Sequence, residues 1–209
     1  MKDQITLMRL FPAALAGAVV LAVVAIHLYD DTPVASLTRD PVSVLGGSVL
    51  VGAMSQLGLF LWAAGAAAGF LGAAFARRVG DESAAILFPF LTGLLSLVLG
   101  LDDCFQFHEE IGPVFGLPQD ATLGAYAIAA VAVFWVYRAF VARTDLVLLA
   151  MAAAGFGASI FLDVLEPLRH SGAGYLLEDG AKFFGIAAWS LYLGDTALRI
   201  CLRQTAQTT

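Results

Sequence analysis

Acidic residues flank a histidine in the segment LDDCFQFHEE, residues 101–110. Imidazole and carboxylate groups exchange protons, and both bind divalent metals. Asp102, Asp103, His108 and Glu109 therefore predict acid–base chemistry or a metal site. The other candidate site residues are His27, Asp163, Glu166, His170, Glu178 and Lys182.

These residues form a mixed oxygen and nitrogen ligand set without thiolates, which suits Zn, Mn, Fe or Ca. A bound cation would also offset the repulsion among several carboxylates. With an open coordination position, the metal could lower the pKa of a bound water to about 7. We expect Glu109 and Lys182 to take part in catalysis. The predicted metal ligands are Asp102, Asp103, His108, Glu109, Asp163, Glu166, Glu178, His27 and His170.

The composition places these residues in a membrane protein. Of the 209 residues, 60% are hydrophobic and only 13% are charged, with a mean hydropathy of +0.85. Soluble domains are about 25% charged. The charges fall in short clusters, which leave apolar runs of bilayer-spanning length between them.

Six runs are long enough to cross a bilayer, which takes about 20 residues in an α-helix. The sequence therefore predicts an all-α bundle of six transmembrane helices, forming one domain over residues 1–209. For the long second run we expect one helix with an interfacial lead-in. The predicted spans are about 10–29, 45–76, 83–104, 121–140, 146–166 and 176–198.

The basic residues predict the orientation. With the N-terminus inside, eight of the eleven Lys and Arg residues are cytoplasmic, as the positive-inside rule requires. We therefore predict an inner-membrane protein with both termini inside. Its outer, periplasmic face then carries twelve of the seventeen acids and all three histidines. Cys104 and Cys201 lie at opposite faces and cannot pair.

Helical phase decides which acids share one face. If the third helix continues to residue 111, Asp102, Gln106 and Glu109 fall in one stripe at about 100° per residue. His108 then points away from that stripe. Either the helix ends before His108, or His108 serves a neighbouring helix.

The charged residues also have structural interpretations. Lys182 is costly at its depth unless paired, and Glu178, four residues earlier, is the expected partner. This pair could be structural as readily as catalytic. Asp163, Glu166 and the acids of LDDCFQFHEE could likewise form a hydrogen-bonded lock between helices.

Small and aromatic residues favour packing roles. Gly65 and Gly69 form a small-xxx-small pattern that allows close helix approach, inside the chain or across a homo-oligomer. We interpret Trp62, Trp135 and Trp189 as packing residues or interfacial anchors.

Two helix ends resemble a known pattern. The segments DDxxxxHE, from Asp102, and EDxxKxxG, from Glu178, are similar to uncharacterised bacterial multi-pass membrane proteins. Those proteins often carry Asp-Glu-x4-His-Glu at the first position, and the resemblance implies no assigned activity. The alkaline ceramidase and adiponectin-receptor superfamily is similar in architecture, with a metal site near one membrane face. Its His-x-x-x-His motif and its seventh helix have no counterpart in this sequence.

The favoured hypothesis is a membrane protein that binds a divalent metal through this outer-face cluster. Its extension is a metal-dependent hydrolase or transferase that acts on a membrane lipid. The alternatives are a cation or proton transporter or sensor with an acidic vestibule, and a non-catalytic subunit that binds a partner. Transport should leave a polar path, yet the fourth and fifth predicted helices are almost wholly apolar. A net charge of −6 argues against nucleic acid as a partner. We expect no haem, retinal or nucleotide, and Lys182 is too shallow for a retinal Schiff base.

Overall fold

The computed structural model describes residues 2–164 and 171–205, with side chains described over 12–163 and 171–203. Within these ranges the chain is helical and forms no β-strand, which confirms the predicted all-α class. A π-helical turn, Phe107–Ile111, follows α5. The α-helices are α1 (Lys2–Asp30), α2 (Val34–Thr38), α3 (Pro41–Leu45), α4 (Ala53–Val79), α5 (Ser83–Phe105), α6 (Gly112–Val114), α7 (Gln119–Val136), α8 (Arg138–Val141), α9 (Leu146–Val164) and α10 (Gly172–Thr205).

Five of the described helices are long and apolar enough to cross a membrane. The five segments are Pro12–Asp30, Ala53–Val79, Ser83–Phe105, Gln119–Val136 and Leu146–Asp163. The 34-residue α10 is not among them, and it carries charged residues along its length. By length and composition, these helices are compatible with a multi-pass membrane protein.

The second membrane-length helix begins later than predicted, at Ala53 rather than near residue 45. Asp40 caps the short α3 by accepting the backbone N–H groups of the next turn, at 2.9 and 3.3 Å. Gly46 and Gly47 then take positive φ angles of 76° and 131°, which stop the helix. A non-helical connection therefore separates α3 from α4, and the predicted interfacial lead-in stays a prediction.

The chain divides into two compact units, Met1–Ala53 and Met54–Thr209. In the first unit, His27 closes the turn after α1, with its Nδ1 atom 2.9 Å from the carbonyl oxygen of Thr32. The Thr32 hydroxyl donates to Asp30 at 2.8 Å. His27 thus has a local structural role, and the single domain over 1–209 stays a prediction.

In the second unit, α4 and α5 approach to backbone contact. A Cβ atom built on Gly69 would lie 2.6 Å from the carbonyl oxygen of Pro89 and 2.7 Å from the Cα of Gly93. One built on Gly65 would lie 2.9 Å from the Oγ of Ser96. The small residues of α4 therefore bring two helices of the same chain together, one of the two roles left open by the sequence.

Helices α9 and α10 make a second close approach. A Cβ atom on Gly155 would lie 2.6 Å from the Cα of Gly185. Further along α10, Tyr192 and Trp189 pack with Phe88 and Phe134 in an aromatic cluster. These contacts fix the position of α10, and with it the position of Lys182.

We predict that Gly69→Ala destabilises the protein, because the added methyl group meets backbone atoms that cannot move aside. The expected loss is about 1–3 kcal/mol, as for overpacked cores. Gly157→Ala on α9 is the control, since its Cβ has no atom within 4 Å. Thermal unfolding in detergent measures both. Equal melting temperatures for the two variants would contradict the close α4–α5 contact.

Candidate functional site

Helix α5 ends at Phe105 because Gln106 adopts the left-handed conformation, with φ 51° and ψ 43°. Its backbone N–H donates to the carbonyl oxygen of Asp102 and closes the helix end. The chain then reverses into the π-helical turn that contains His108. Of the two explanations that the sequence left open for His108, the helix ending before it is the observed one.

Asp102 holds this turn in place. Its carboxylate is buried, at 4% exposure, and Oδ1 accepts the backbone N–H of His108 at 3.0 Å. Oδ1 also accepts the Tyr126 hydroxyl at 3.1 Å, while Oδ2 bonds Nδ1 of His108. A carboxylate that accepts a hydrogen bond from Nδ1 favours the tautomer in which Nδ1 carries the proton. Nε2 is then free of a proton and can act as a metal ligand or a base.

The Nε2 atom of His108 faces Glu109. It lies 3.4 Å from Oε1 of Glu109, and Oε2 of the same carboxylate accepts the Gln106 amide at 3.3 Å. The Glu109 side chain is 47% exposed, whereas that of His108 is 11% exposed. An imidazole nitrogen and a carboxylate oxygen therefore lie side by side, and the carboxylate is exposed.

Asp103 belongs to a second group of contacts. Its Oδ1 accepts the Lys182 ammonium at 2.7 Å, and its Oδ2 accepts the Trp62 indole N–H at 2.8 Å. These contacts tie α5 to α10 and to α4. Lys182 thus has an ion-pair partner on another helix that the sequence analysis missed.

The predicted ligand set falls into separate parts. Among the described residues, no three His, Cys, Asp or Glu side chains are grouped so as to hold a metal ion. Asp163 and Glu178 each have contacts of their own. Glu166 and His170 lie outside the described residues. The structure brings together Asp102, His108 and Glu109 on the one hand, and Asp103 with Lys182 on the other.

Two aromatic residues also donate hydrogen bonds to these aspartates, and the sequence analysis did not predict either contact. Tyr126 is 24 residues from its partner Asp102, and Trp62 is 41 residues from Asp103. Neither has a local sequence signal, since each contact depends on how the helices pack. Trp62 was interpreted as a packing or anchoring residue, and its indole N–H adds a polar role.

The comparisons give a family without a known activity. Residues 13–196 match a family described as a domain of unknown function, DUF8692. Because the match covers most of the 209 residues, the chain belongs to this family. Comparison with curated proteins and with solved structures gives no match. The matched region contains both groups of contacts described above.

We predict that Asp103→Asn lowers stability, because it leaves the Lys182 ammonium without its counter-charge. The amide oxygen can still accept the Trp62 indole, so the change isolates the ion pair. Adding Lys182→Met should recover part of the loss, with a coupling energy of about 1 kcal/mol because the Lys182 side chain is 42% exposed. Thermal unfolding of the single and double variants measures it. If the stability changes of the two single variants simply add up in the double variant, the ion pair does not contribute to stability.

Proposed function

We propose that this member of the DUF8692 family is a six-helix inner-membrane protein that binds a divalent metal ion at its outer face. His108 and Glu109 would be the ligands, and Asp102 would orient the histidine. The observation that carries the proposal is the hydrogen bond between the Asp102 carboxylate and Nδ1 of His108. Metal-binding histidines commonly donate their second N–H to a carboxylate, which fixes the ring and makes the other nitrogen a better ligand.

The spacing of the two ligand atoms supports the proposal. A tetrahedral ion with metal–ligand bonds of about 2.1 Å sets its ligand atoms about 3.4 Å apart. Nε2 of His108 and Oε1 of Glu109 lie 3.4 Å apart, close to this spacing. An ion could bridge these two atoms without moving the backbone.

The donor types narrow the choice of metal. One imidazole and one carboxylate suit Zn, Mn or Fe better than Ca, which prefers oxygen ligands throughout. Water, or the predicted ligands Glu166 and His170, would fill the remaining coordination positions of the metal. Asp103 is a poor candidate, since both of its oxygens already accept hydrogen bonds.

A metal-dependent hydrolase or transferase acting on a membrane lipid is the activity that such a site would serve. A metal with open positions makes hydroxide available at neutral pH, and this is the usual nucleophile of such enzymes. Of the two predicted catalytic residues, Glu109 is the better placed because it adjoins His108. Lys182 is engaged with Asp103, so we assign it a positioning role.

The arginine contacts support the proposed orientation, with both termini inside. Arg143 pairs with Glu82 at 2.8 Å, and Arg199 pairs with Asp145 at 3.3 Å. Arg203 donates to the carbonyl oxygen of Arg143 at 3.4 Å. These contacts gather the basic residues at the end of the helices opposite Asp103, as the positive-inside rule favours.

The charges of α10 are compatible with a sixth span. Lys182 pairs with Asp103, and Arg199 pairs with Asp195 one turn earlier. Paired charges cost far less in a membrane than isolated ones. Helix α10 can therefore cross the bilayer although its composition is less apolar than that of the other five.

Metal binding is tested by elemental analysis of protein in lipid nanodiscs after incubation with Zn²⁺, Mn²⁺ or Ca²⁺ and removal of free ions. We expect Zn²⁺ or Mn²⁺ to be retained near one ion per chain. Glu109→Gln and His108→Ala should lose it, because each removes a ligand. Asp102→Asn should weaken it about 10- to 100-fold, as other losses of an orienting carboxylate do.

Glu110→Gln is the matched control, since Glu110 lies in the same turn, is exposed and undergoes the same change of charge. It should retain the ion. No retained metal in the unaltered protein, or equal retention by the Glu109 and Glu110 variants, would reject the site.

The proposed orientation predicts the reactivity of the two native cysteines. Both are free; Cys104 lies at the outer end of α5 and is exposed, and Cys201 lies near the opposite end of α10. A membrane-impermeant maleimide added to whole cells should label Cys201→Ser protein but not Cys104→Ser protein. The reverse pattern would invert the orientation, and labelling of both would contradict the sixth span.

A further inference from the structure

A large cavity lies within the second unit, on the inner side of the Asp103–Lys182 pair. Its volume is about 630 Å³, within the range of about 300–1,000 Å³ typical of ligand pockets. Side chains of α4, α5, α7, α8, α9 and α10 line it. The lining is apolar except for indole N–H groups and Arg138, so the cavity suits a lipid-soluble ligand.

Aromatic rings dominate the walls of the cavity. They include all three tryptophans of the chain. Trp62 and Phe156 are stacked with parallel planes, 5.8 Å between centroids. The aromatic lining residues are Trp62, Phe134, Trp135, Phe156 and Trp189. Such rings favour a flat ligand, which they can contact face to face or edge to face.

One of these tryptophans has a buried donor without an acceptor. Trp189 is 5% exposed, and within the described part of the chain its Nε1 makes no hydrogen bond. An unsatisfied buried N–H costs about 1–3 kcal/mol. The Trp62 indole, by contrast, donates to Asp103. Because Trp189 lines the cavity, a ligand that brings an acceptor within reach of Nε1 would satisfy this donor.

The depth of Trp189 restricts what that ligand can be. It lies seven residues beyond Lys182 along α10, about 10 Å further into the membrane. The ester carbonyls of bilayer lipids stay at the headgroup level, and saturated chains carry no acceptor. A carbonyl on a neutral planar ring meets both requirements, since the ring can enter the hydrocarbon layer.

We propose that this cavity binds a lipid-soluble quinone, with one ring carbonyl accepting the Trp189 N–H and the ring packed among the aromatic walls. The ligand reaches the cavity from the bilayer, because Val131 and Trp135, which line it, are 67% and 69% exposed on the outside of the bundle. This proposal is independent of the metal site and stands or falls on different residues.

The test uses full-length protein in nanodiscs and decylubiquinone, a benzoquinone with a saturated tail, as the probe. Quinones quench tryptophan fluorescence, and every tryptophan of the chain lines the cavity, so we expect saturable quenching. Trp189→Phe keeps an aromatic ring at this position but removes the donor, and should weaken binding about tenfold, as expected for one hydrogen bond to a buried group.

Trp135→Phe is the matched control, since it removes an indole N–H from the same cavity at an exposed position. The Trp135 ring is part of the cavity wall, but its N–H is not assigned to the ligand, so this variant should weaken binding less than Trp189→Phe does. Ala153→Phe, at an exposed lining residue, should abolish binding by filling the space. It serves as the second variant if Trp189→Phe proves unstable.

Two results would overturn the proposal. One is equal affinity of the Trp189→Phe and unaltered proteins for decylubiquinone. The other is that palmitate displaces the probe from the unaltered protein but not from the Arg138→Gln variant. That result would identify an anionic acyl chain as the occupant. Failure of metal retention in the Glu109 variant would leave the quinone result unaffected.

Discussion

Two adjacent carboxylates at the C-terminal end of α5 hold together the surrounding part of the second unit. Successive residues of an α-helix point about 100° apart, so Asp102 and Asp103 face different neighbours. Asp102 turns toward its own chain and holds the reversal that follows, together with Tyr126 of α7. Asp103 turns toward α4 and α10. One helix end thereby organises three other helices and a turn.

Because their surroundings are apolar, the two carboxylates need hydrogen-bond donors from the protein. A carboxylate removed from water must recover its lost hydration from donors in the protein. Asp102 does so with a backbone N–H, an imidazole and a phenol, and Asp103 with an ammonium and an indole. The proposed metal site is a by-product of this requirement, because the bond that stabilises Asp102 also orients His108.

The sequence was a good guide to the helices and a partial guide to the site. Long apolar runs fix the positions of the membrane-length helices, because hydrocarbon requires every backbone group to bond internally. The small residues of α4 correctly predicted a close helix contact. The start of α4 was missed because two glycines interrupt an otherwise apolar run, which hydropathy does not register.

The site was harder to predict because its geometry depends on one backbone conformation and on distant partners. The left-handed Gln106 reverses the chain, and nothing in the residue type requires it, since glycine and asparagine are the usual choices. The sequence suggested a Lys182 partner one turn away on the same helix, and it gave no sign of the pair with Asp103 on α5. Periodicity describes one helix at a time, while ion pairs depend on how helices pack.

Trp62 makes two different kinds of contact. Its indole N–H holds Asp103, and its ring lines the cavity while stacking on Phe156. A shift of the ring would stretch the bond to Asp103 and so disturb the charge balance of Lys182. If the proposed ligand shifts the ring on entering the cavity, binding and the ion pair would affect each other reciprocally. A single side chain would in that case connect the filling of an apolar cavity to the charge state of an ion pair on two other helices.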